Sequence, residues 1–409
     1  MKRILILVLV SVLALAALLP GASVRGQSAD RSRLPLMGLV LDTPENRSMI
    51  VYGDLAAWYD SWGITPLADQ DELDDLDPDT RAKVLFVMPD QTLPPEVLGL
   101  HYLFTEPDQG DYYGFDLFTT DRFVYTSNPP DTLTVLQTNA DPDAIAAALT
   151  ANGYAATAAD PGMLYSYQDD YEMDLTFDGP PVGRLGALNR IAVLDDGTLL
   201  VARATAIATD ALAADASKAE SVADLPIYRA AVTALNDEAL ADAGPLVGAI
   251  FVEGLQADDP ALMLLGQNAT AEQIAALQAQ LVEQNDPALL PYLLTTFATF
   301  HTPGATSLVL AVTFPPGVDA QAMADALAER MQKYTSLRTR QPMSDLWTLD
   351  RAVGVEADGL PPVALVVMRV DDPAPLAEGD QLGGVRVLAW HQMVFARDLG
   401  FLVVSAPAE

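Results

Sequence analysis

Three histidines, His101, His301 and His391, are the first places to look for acid–base or metal chemistry in this chain. They lie far apart, and none stands in the His-x-x-x-His or His-Glu-x-x-His spacing that puts two imidazoles on one helical face for zinc. Each therefore reads as a structural or surface residue. Cysteine is absent, which removes disulfides, thiol nucleophiles and Cys-ligated metal clusters together. No serine sits in a Gly-x-Ser-x-Gly or Ser-x-x-Lys frame, and lysine occurs only at Lys2, Lys83, Lys218 and Lys333. The glycine-rich stretch Gly379 to Gly384 lacks the lysine and the spacing of a phosphate-cradling loop.

Carboxylates and aromatic rings remain. The run Asp69 to Asp79 offers Asp71, Asp74, Asp75, Asp77 and Asp79 as oxygen donors for a weak calcium site of the extracellular kind. It has neither the glycine nor the closing glutamate of an EF-hand, and Leu73 and Leu76 read instead as the packed side of a short solvated helix. Tyr112 and Tyr113, with Tyr165, Tyr167 and Tyr171, are the candidate ligand-contacting residues, since a tyrosine offers a flat apolar face and a polar edge to sugars or peptides. Trp58 and Trp62 are four apart, which on a helix places both on one face as core. Paired carboxylates for glycoside hydrolysis need a fixed separation across a groove, which the abundance of Asp and Glu does not supply.

The elements that must hold these residues alternate between strands and Ala-rich helices. Apolar periodicity predicts helices over Pro142 to Asn152, Ala204 to Ala216, Ile227 to Ala241, Ala271 to Gln284 and Ala320 to Tyr334. Asp141 and Asp319 stand where they would cap two of them. Strands are expected at Val84 to Met88, Leu133 to Gln137, Arg190 to Leu194, Thr198 to Arg203, Ser307 to Phe314, Val363 to Val370 and Phe401 to Ser405. A strand, a helix opening at an Asp, a short run and a hairpin occur in that order twice. The first hairpin is Arg190 to Ala204, turning at Asp195-Asp196-Gly197. The second is Gln392 to Ala406, with Leu360 to Leu382 as an insertion. The expected fold is α+β: two similar halves, about 34–224 and 225–409, each a mainly antiparallel sheet with helices on one face, in a ferredoxin-like arrangement.

The residues Phe115-Asp116, Asn128-Pro129-Pro130, Asp141, Ile145, Leu149 and Gly153-Tyr154 make the chain resemble uncharacterised exported bacterial α+β proteins, domains of unknown function. That resemblance covers about a tenth of the chain and carries over no catalytic residue.

Composition and the first segment set the compartment. Met1-Lys2-Arg3 precedes an apolar run to Leu19, a break at Pro20-Gly21, and small residues at Val24 and Gly26, so residues 1–26 read as a cleaved signal peptide. The remainder is expected to be extracytoplasmic: secreted, periplasmic or at the cell surface. It would meet a membrane only if that first segment stayed uncleaved. A formal charge of −34, from 56 acidic and 22 basic residues, opposes nucleic acid as a partner. The reading is a non-catalytic binding or envelope-associated protein with a protein or glycan partner and no cofactor beyond weakly held calcium. Its rivals are a secreted hydrolase of extracellular polymer working through paired carboxylates, and a weak calcium-binding module.

Overall fold

A computed structural model describes residues 34–99, 109–173, 185–216, 218–253, 265, 269–284, 286–336, 340–371 and 385–404. Twelve strands form one antiparallel sheet in the order β11-β12-β10-β9-β8-β1-β2-β3-β7-β6-β5-β4. The first half supplies β1 (Ile50–Asp54), β2 (Thr120–Thr126), β3 (Leu133–Thr138), β4 (Ala155–Ala158), β5 (Met163–Ser166), β6 (Arg190–Val193) and β7 (Thr198–Ala202). The second supplies β8 (Leu246–Glu253), β9 (Leu294–Thr302), β10 (Ala305–Thr313), β11 (Thr348–Val355) and β12 (Val363–Asp371). Eight helices matter below: α1 (Leu55–Trp62), α2 (Met88–Thr92), α3 (Pro142–Ala151), α4 (Thr205–Asp215), α5 (Pro226–Ala234), α6 (Ala271–Gln284), α7 (Ala320–Lys333) and α8 (Val385–Phe395).

The α+β class and the antiparallel sheet are those read from the sequence. Moving outward from the central β1–β8 pair, β1-β2-β3-β7-β6 on one side repeats β8-β9-β10-β12-β11 on the other. On each side one helix crosses over from the third strand: α7 joins β10 to β11 with β12 between them, and α3 joins β3 to β4 with β7, β6 and β5 between them. This is a single split crossover per half, so the ferredoxin-like expectation, which needs two, is corrected. β4 and β5 extend the first half further.

Helices cover both faces of the sheet, not one. Alternation along β1 explains why: Tyr52 points into a core with Val135, Phe251 and Phe300, covered by Ala208 and Ala211 of α4 and Tyr228 and Ala231 of α5. Val51 points the other way, to Phe297, Leu310 and Val366 under Leu327 of α7 and Trp390 and Met393 of α8. Farther along that second face, Phe123, Leu136 and Leu199 lie under Trp58 of α1 and Ile145 and Leu149 of α3. Strands buried on both faces lose the alternating polar signature of a one-sided sheet. Each fully buried ring such as Trp390 contributes about 2–3 kcal/mol.

Asp141 caps α3 by accepting from the Asp143 N–H, and Asp319 caps α7 by accepting from the Ala322 N–H. The first hairpin is present as β6–β7, with Gly197 at φ 82° in its turn. Other expectations are overturned. Lys83–Val87 is helical and leads into α2, because Asp77 and Pro78 start a helix there and Val84 and Met88, four apart, face the core. The proposed second hairpin is α8 followed by a left-handed turn at Arg397 (φ 54°) and a tight helical turn at Gly400–Leu402, so Phe401 opens no strand. Val387, Trp390 and Val394 recur at helical spacing and are buried, which outweighs the β-branched composition of that segment. The true counterpart of β6–β7 is β11–β12, part of which had been read as an insertion.

At the seam, Gly53 of β1 lies opposite Gly248 of β8. A Cβ on Gly248 would stand 2.3 Å from the Gln91 carbonyl oxygen, so α2 presses directly on the sheet there. This close approach brings Gln91 over the centre of the second face.

Candidate functional site

The structure gathers the predicted tyrosines around one end of β4 and β5. Tyr112 and Tyr113, in the short helix Gln109–Tyr113, meet edge to face at 4.9 Å. Tyr113 then meets Tyr154 at 6.5 Å, and Tyr154 stacks on Tyr167 at 5.1 Å with 30° between the planes. Tyr154, not among the predicted site residues, is therefore the link between Tyr112–Tyr113 and Tyr167. The ladder is rooted in the core: Tyr113 and Tyr154 are buried, Tyr154 donates to the Leu188 carbonyl at 2.9 Å, and burial pushes both phenols above their usual range. It opens at Tyr167, which is 43% exposed.

Tyr165, two residues back along β5, points the same way but is buried, so it supports the ladder and offers no surface. Tyr171 is 45% exposed at φ 63°, and its hydroxyl donates to Asp131 at 2.6 Å. Met173 and Leu185 add exposed apolar side chains of 54% and 45%. They belong to neighbouring strands of chain, since a Cβ on Gly186 would touch the Glu172 carbonyl oxygen and Asn189 donates to that same carbonyl at 2.8 Å. An exposed ring held by stacking on a buried one, as Tyr167 is on Tyr154, offers a contact face with little ordering cost.

The acidic run does not converge. Asp71, Asp74 and Asp75 lie on the exposed side of the helix Gln70–Asp75, with Leu73 buried beneath. Asp74 pairs with Arg81. Asp77 caps the next helix, accepting from the Asp79 and Thr80 N–H groups, and these hydrogen bonds, first that of Thr80, hold its carboxyl below its ordinary range. Asp79 is exposed beside it. Among the described residues no group of three or more His, Asp or Glu could hold a metal ion.

A second constellation, made of residues scattered from Ser61 to His391, had no signal in the sequence. His301 and Thr299 project from β9 toward α1, α2 and α8. The His301 ring is fully buried, stacks on Trp62 at 4.1 Å and 12°, and its Nδ1 lies 3.0 Å from Ser61 Oγ. Gln91 Oε1 accepts from the indole N–H groups of Trp58 and Trp62 at 2.7 and 3.1 Å, while its Nε2 donates to Thr306 Oγ1 at 2.8 Å. Lys83 Nζ stands 5.1 Å over the Trp62 ring. His391 Nε2 lies 3.5 Å from Thr299 Oγ1, at the outer limit of a hydrogen bond. His101 lies outside the described residues.

The chemistry of this cluster is that of a sealed core. Ser61 Oγ donates to the Trp58 carbonyl at 2.9 Å and lies 3.0 Å from His301 Nδ1, where the direction of the bond follows the imidazole tautomer. Burial holds His391 down at about 4, against a smaller opposing contribution from the Asp90 backbone, so the ring is neutral at pH 7. Burial also lifts the Asp90 carboxyl to about 7, and no second carboxylate contributes to that shift.

No family model and no curated protein matches the chain. Among solved structures it is similar to crystal form III of TP0453, at 9% identity and a TM-score of 0.34, over 82% of this chain and 93% of that one. It is similar also to crystal form I of TP0453, at 8% identity and a TM-score of 0.33, over 90% and 97%. At those values nothing about TP0453 transfers to this chain. The molecule itself offers two features: a buried polar cluster around His301, and a tyrosine ladder that ends in solvent. Among the described residues no helix is long and apolar enough to cross a membrane.

Proposed function

We propose that this protein is a non-catalytic binding protein acting outside the cytoplasm, and that it holds a protein or glycan ligand at the open end of the tyrosine ladder. The observation that carries the reading is the exposure of Tyr167 on a ladder whose inner rings, Tyr113 and Tyr154, are locked in the core. Most large apolar side chains among the described residues are buried, so an exposed aromatic ring fixed on a buried one marks a recognition surface. The extracytoplasmic placement rests on the Met1 to Gly26 segment. The halves 34–224 and 225–409 are read as a duplication, supported by their repeated strand order.

Thermal unfolding of the full chain against a panel of oligosaccharides and peptides tests this. A bound ligand at a hundredfold excess over its Kd stabilises by about 2.7 kcal/mol, and Tyr167→Ala is expected to remove that shift while leaving the unliganded midpoint unchanged. A shift that survives Tyr167→Ala moves the site elsewhere. Conversion of a panel member to product replaces the binding reading with an enzymatic one.

A further inference from the structure

The two edges of the twelve-stranded sheet are treated differently. At one edge, β11 is closed by a side chain of α7: Gln321 Oε1 accepts from the Gly354 N–H at 2.8 Å and its Nε2 donates to the Ala352 carbonyl at 3.2 Å. A Cβ on Gly354 would sit 2.3 Å from the Gln321 nitrogen, so the start of α7 lies directly against the strand. Arg351 adds charge, donating to the Ala239 carbonyl and pairing with Asp242 and Asp350. Charged and side-chain-covered edges are how proteins prevent edge-to-edge pairing.

At the other edge, β4 has none of this. Its sequence is Ala-Ala-Thr-Ala, all four residues are exposed, and among the described residues it pairs only with β5. The Ala159 N–H donates to the Gly162 carbonyl at 3.0 Å, which fixes the alternation of the ladder. Ala155 and Thr157 then turn their backbone groups to β5, and Ala156 and Ala158 turn theirs outward.

We infer that β4 is a docking edge that takes an extended basic strand of another protein by β-augmentation. The inference rests on the binding reading above and names the partner for the same region. The two ends of β4 select that partner. Tyr154 and Tyr167 flank its Ala155 end. At its Ala158 end stand the exposed Asp141, Asp143, Asp160, Asp195 and Asp196. Close contacts of Gly162 with Val193 and of Gly197 with Pro142 draw their loops together there. Lys218, paired with Asp160 at 3.4 Å, is a basic residue already at that end. The strand that fits carries an aromatic or apolar residue for the tyrosines and Lys or Arg about 13 Å farther on, the length of four strand residues. A second copy of the chain is disfavoured, since each brings a formal charge of −34.

The test is fluorescence polarisation of the full chain with labelled Tyr-Val-Thr-Val-Lys-Val-Lys, and with its counterpart carrying Glu for Lys. Ala156→Pro removes an outward N–H without touching the β4–β5 ladder, whereas Ala156→Val keeps it. Saturable binding of the Lys peptide, weakened about tenfold or more by Ala156→Pro and by the Glu exchange but not by Ala156→Val, supports the inference. Hydrogen exchange on the unmodified chain gives the same answer if Ala156→Pro misfolds. The amides of Ala156 and Ala158 must slow by about tenfold or more on adding the Lys peptide, with Thr157 unchanged. Binding without that protection, or no binding of the Lys peptide, overturns the docking edge. If a panel ligand still depends on Tyr167 but not on Ala156, the binding reading stands and the edge inference alone fails. Protection of Ala156 and Ala158 in the peptide-free chain at high concentration makes the partner a second copy and overturns the choice made here.

Discussion

Asp90→Asn is expected to change the pH dependence of stability in a way that separates two opposed groups on neighbouring helices. Asp90 in α2 is lifted from 3.8 to about 7 by burial, while His391 in α8 is lowered from 6.5 to about 4, chiefly by burial. A raised carboxyl means that the folded state holds its proton more tightly than the unfolded chain does. The stability it contributes is complete below pH 4 and is lost as pH rises through about 7. The depressed histidine acts in the opposite sense: its contribution is complete above pH 6.5 and is lost as pH falls through about 4. Between those limits the two slopes cancel in large part. At about 1.4 kcal/mol per pH unit, the histidine amounts to about 3 kcal/mol. The carboxyl would reach about 4 kcal/mol, which its partial solvent access reduces to about 2 kcal/mol. The assay is guanidinium unfolding followed by tryptophan fluorescence from pH 4 to pH 8. Asp90→Asn should match the unmodified protein near pH 4 and be more stable by about 2 kcal/mol at pH 8. It should also unmask the histidine, losing about 3 kcal/mol on acidification from pH 7 to pH 4. A difference between the two proteins that does not vary with pH would refute the reasoning.

Three further outcomes follow from the packing. Gly248→Ala places a methyl group against the Gln91 carbonyl and should cost about 2–3 kcal/mol in urea unfolding, because the obstacle is backbone and cannot rotate away. Arg330→Met removes a buried guanidinium, lowered to about 10 by burial, that donates to the carbonyls of Pro287, Phe401 and Val403. It should cost about 3 kcal/mol or more and make the chain beyond Leu399 sensitive to limited proteolysis. Gln91→Leu deprives two buried indole N–H groups of their acceptor, and should both destabilise by about 2 kcal/mol and shift the tryptophan emission.

Local signals were legible where one segment carried them. Asp141 before an Ile145–Leu149 face, and Asp319 before the Met323–Leu327–Met331 face, announced α3 and α7, and Asp-Gly announced the β6–β7 turn. The hairpin expected over Gln392 to Ala406 fails because its first residues end a helix, Val385–Phe395, whose buried positions Val387, Trp390 and Val394 recur at helical spacing. β8 and β9, in the middle of the sheet and buried on both faces, lacked alternation and were missed. Of the site, the tyrosines were named but not their junction at Tyr154, which is a matter of tertiary contact. The His301 cluster draws on α1, α2, β9, β10 and α8, and no spacing within one segment encodes a contact between Ser61 and a residue 240 positions away.

The Gln321 clasp on β11 has a consequence for how many copies of this chain a shared sheet could hold. Growth by addition at strand edges follows the arithmetic of polymer chemistry, in which a unit needs two reactive ends to propagate. Here one end is terminated by α7, so each molecule is monofunctional. Anything that joins it at β4 ends the sheet or pairs it once, and a crowded solution of this protein has no route to a fibre by its edges.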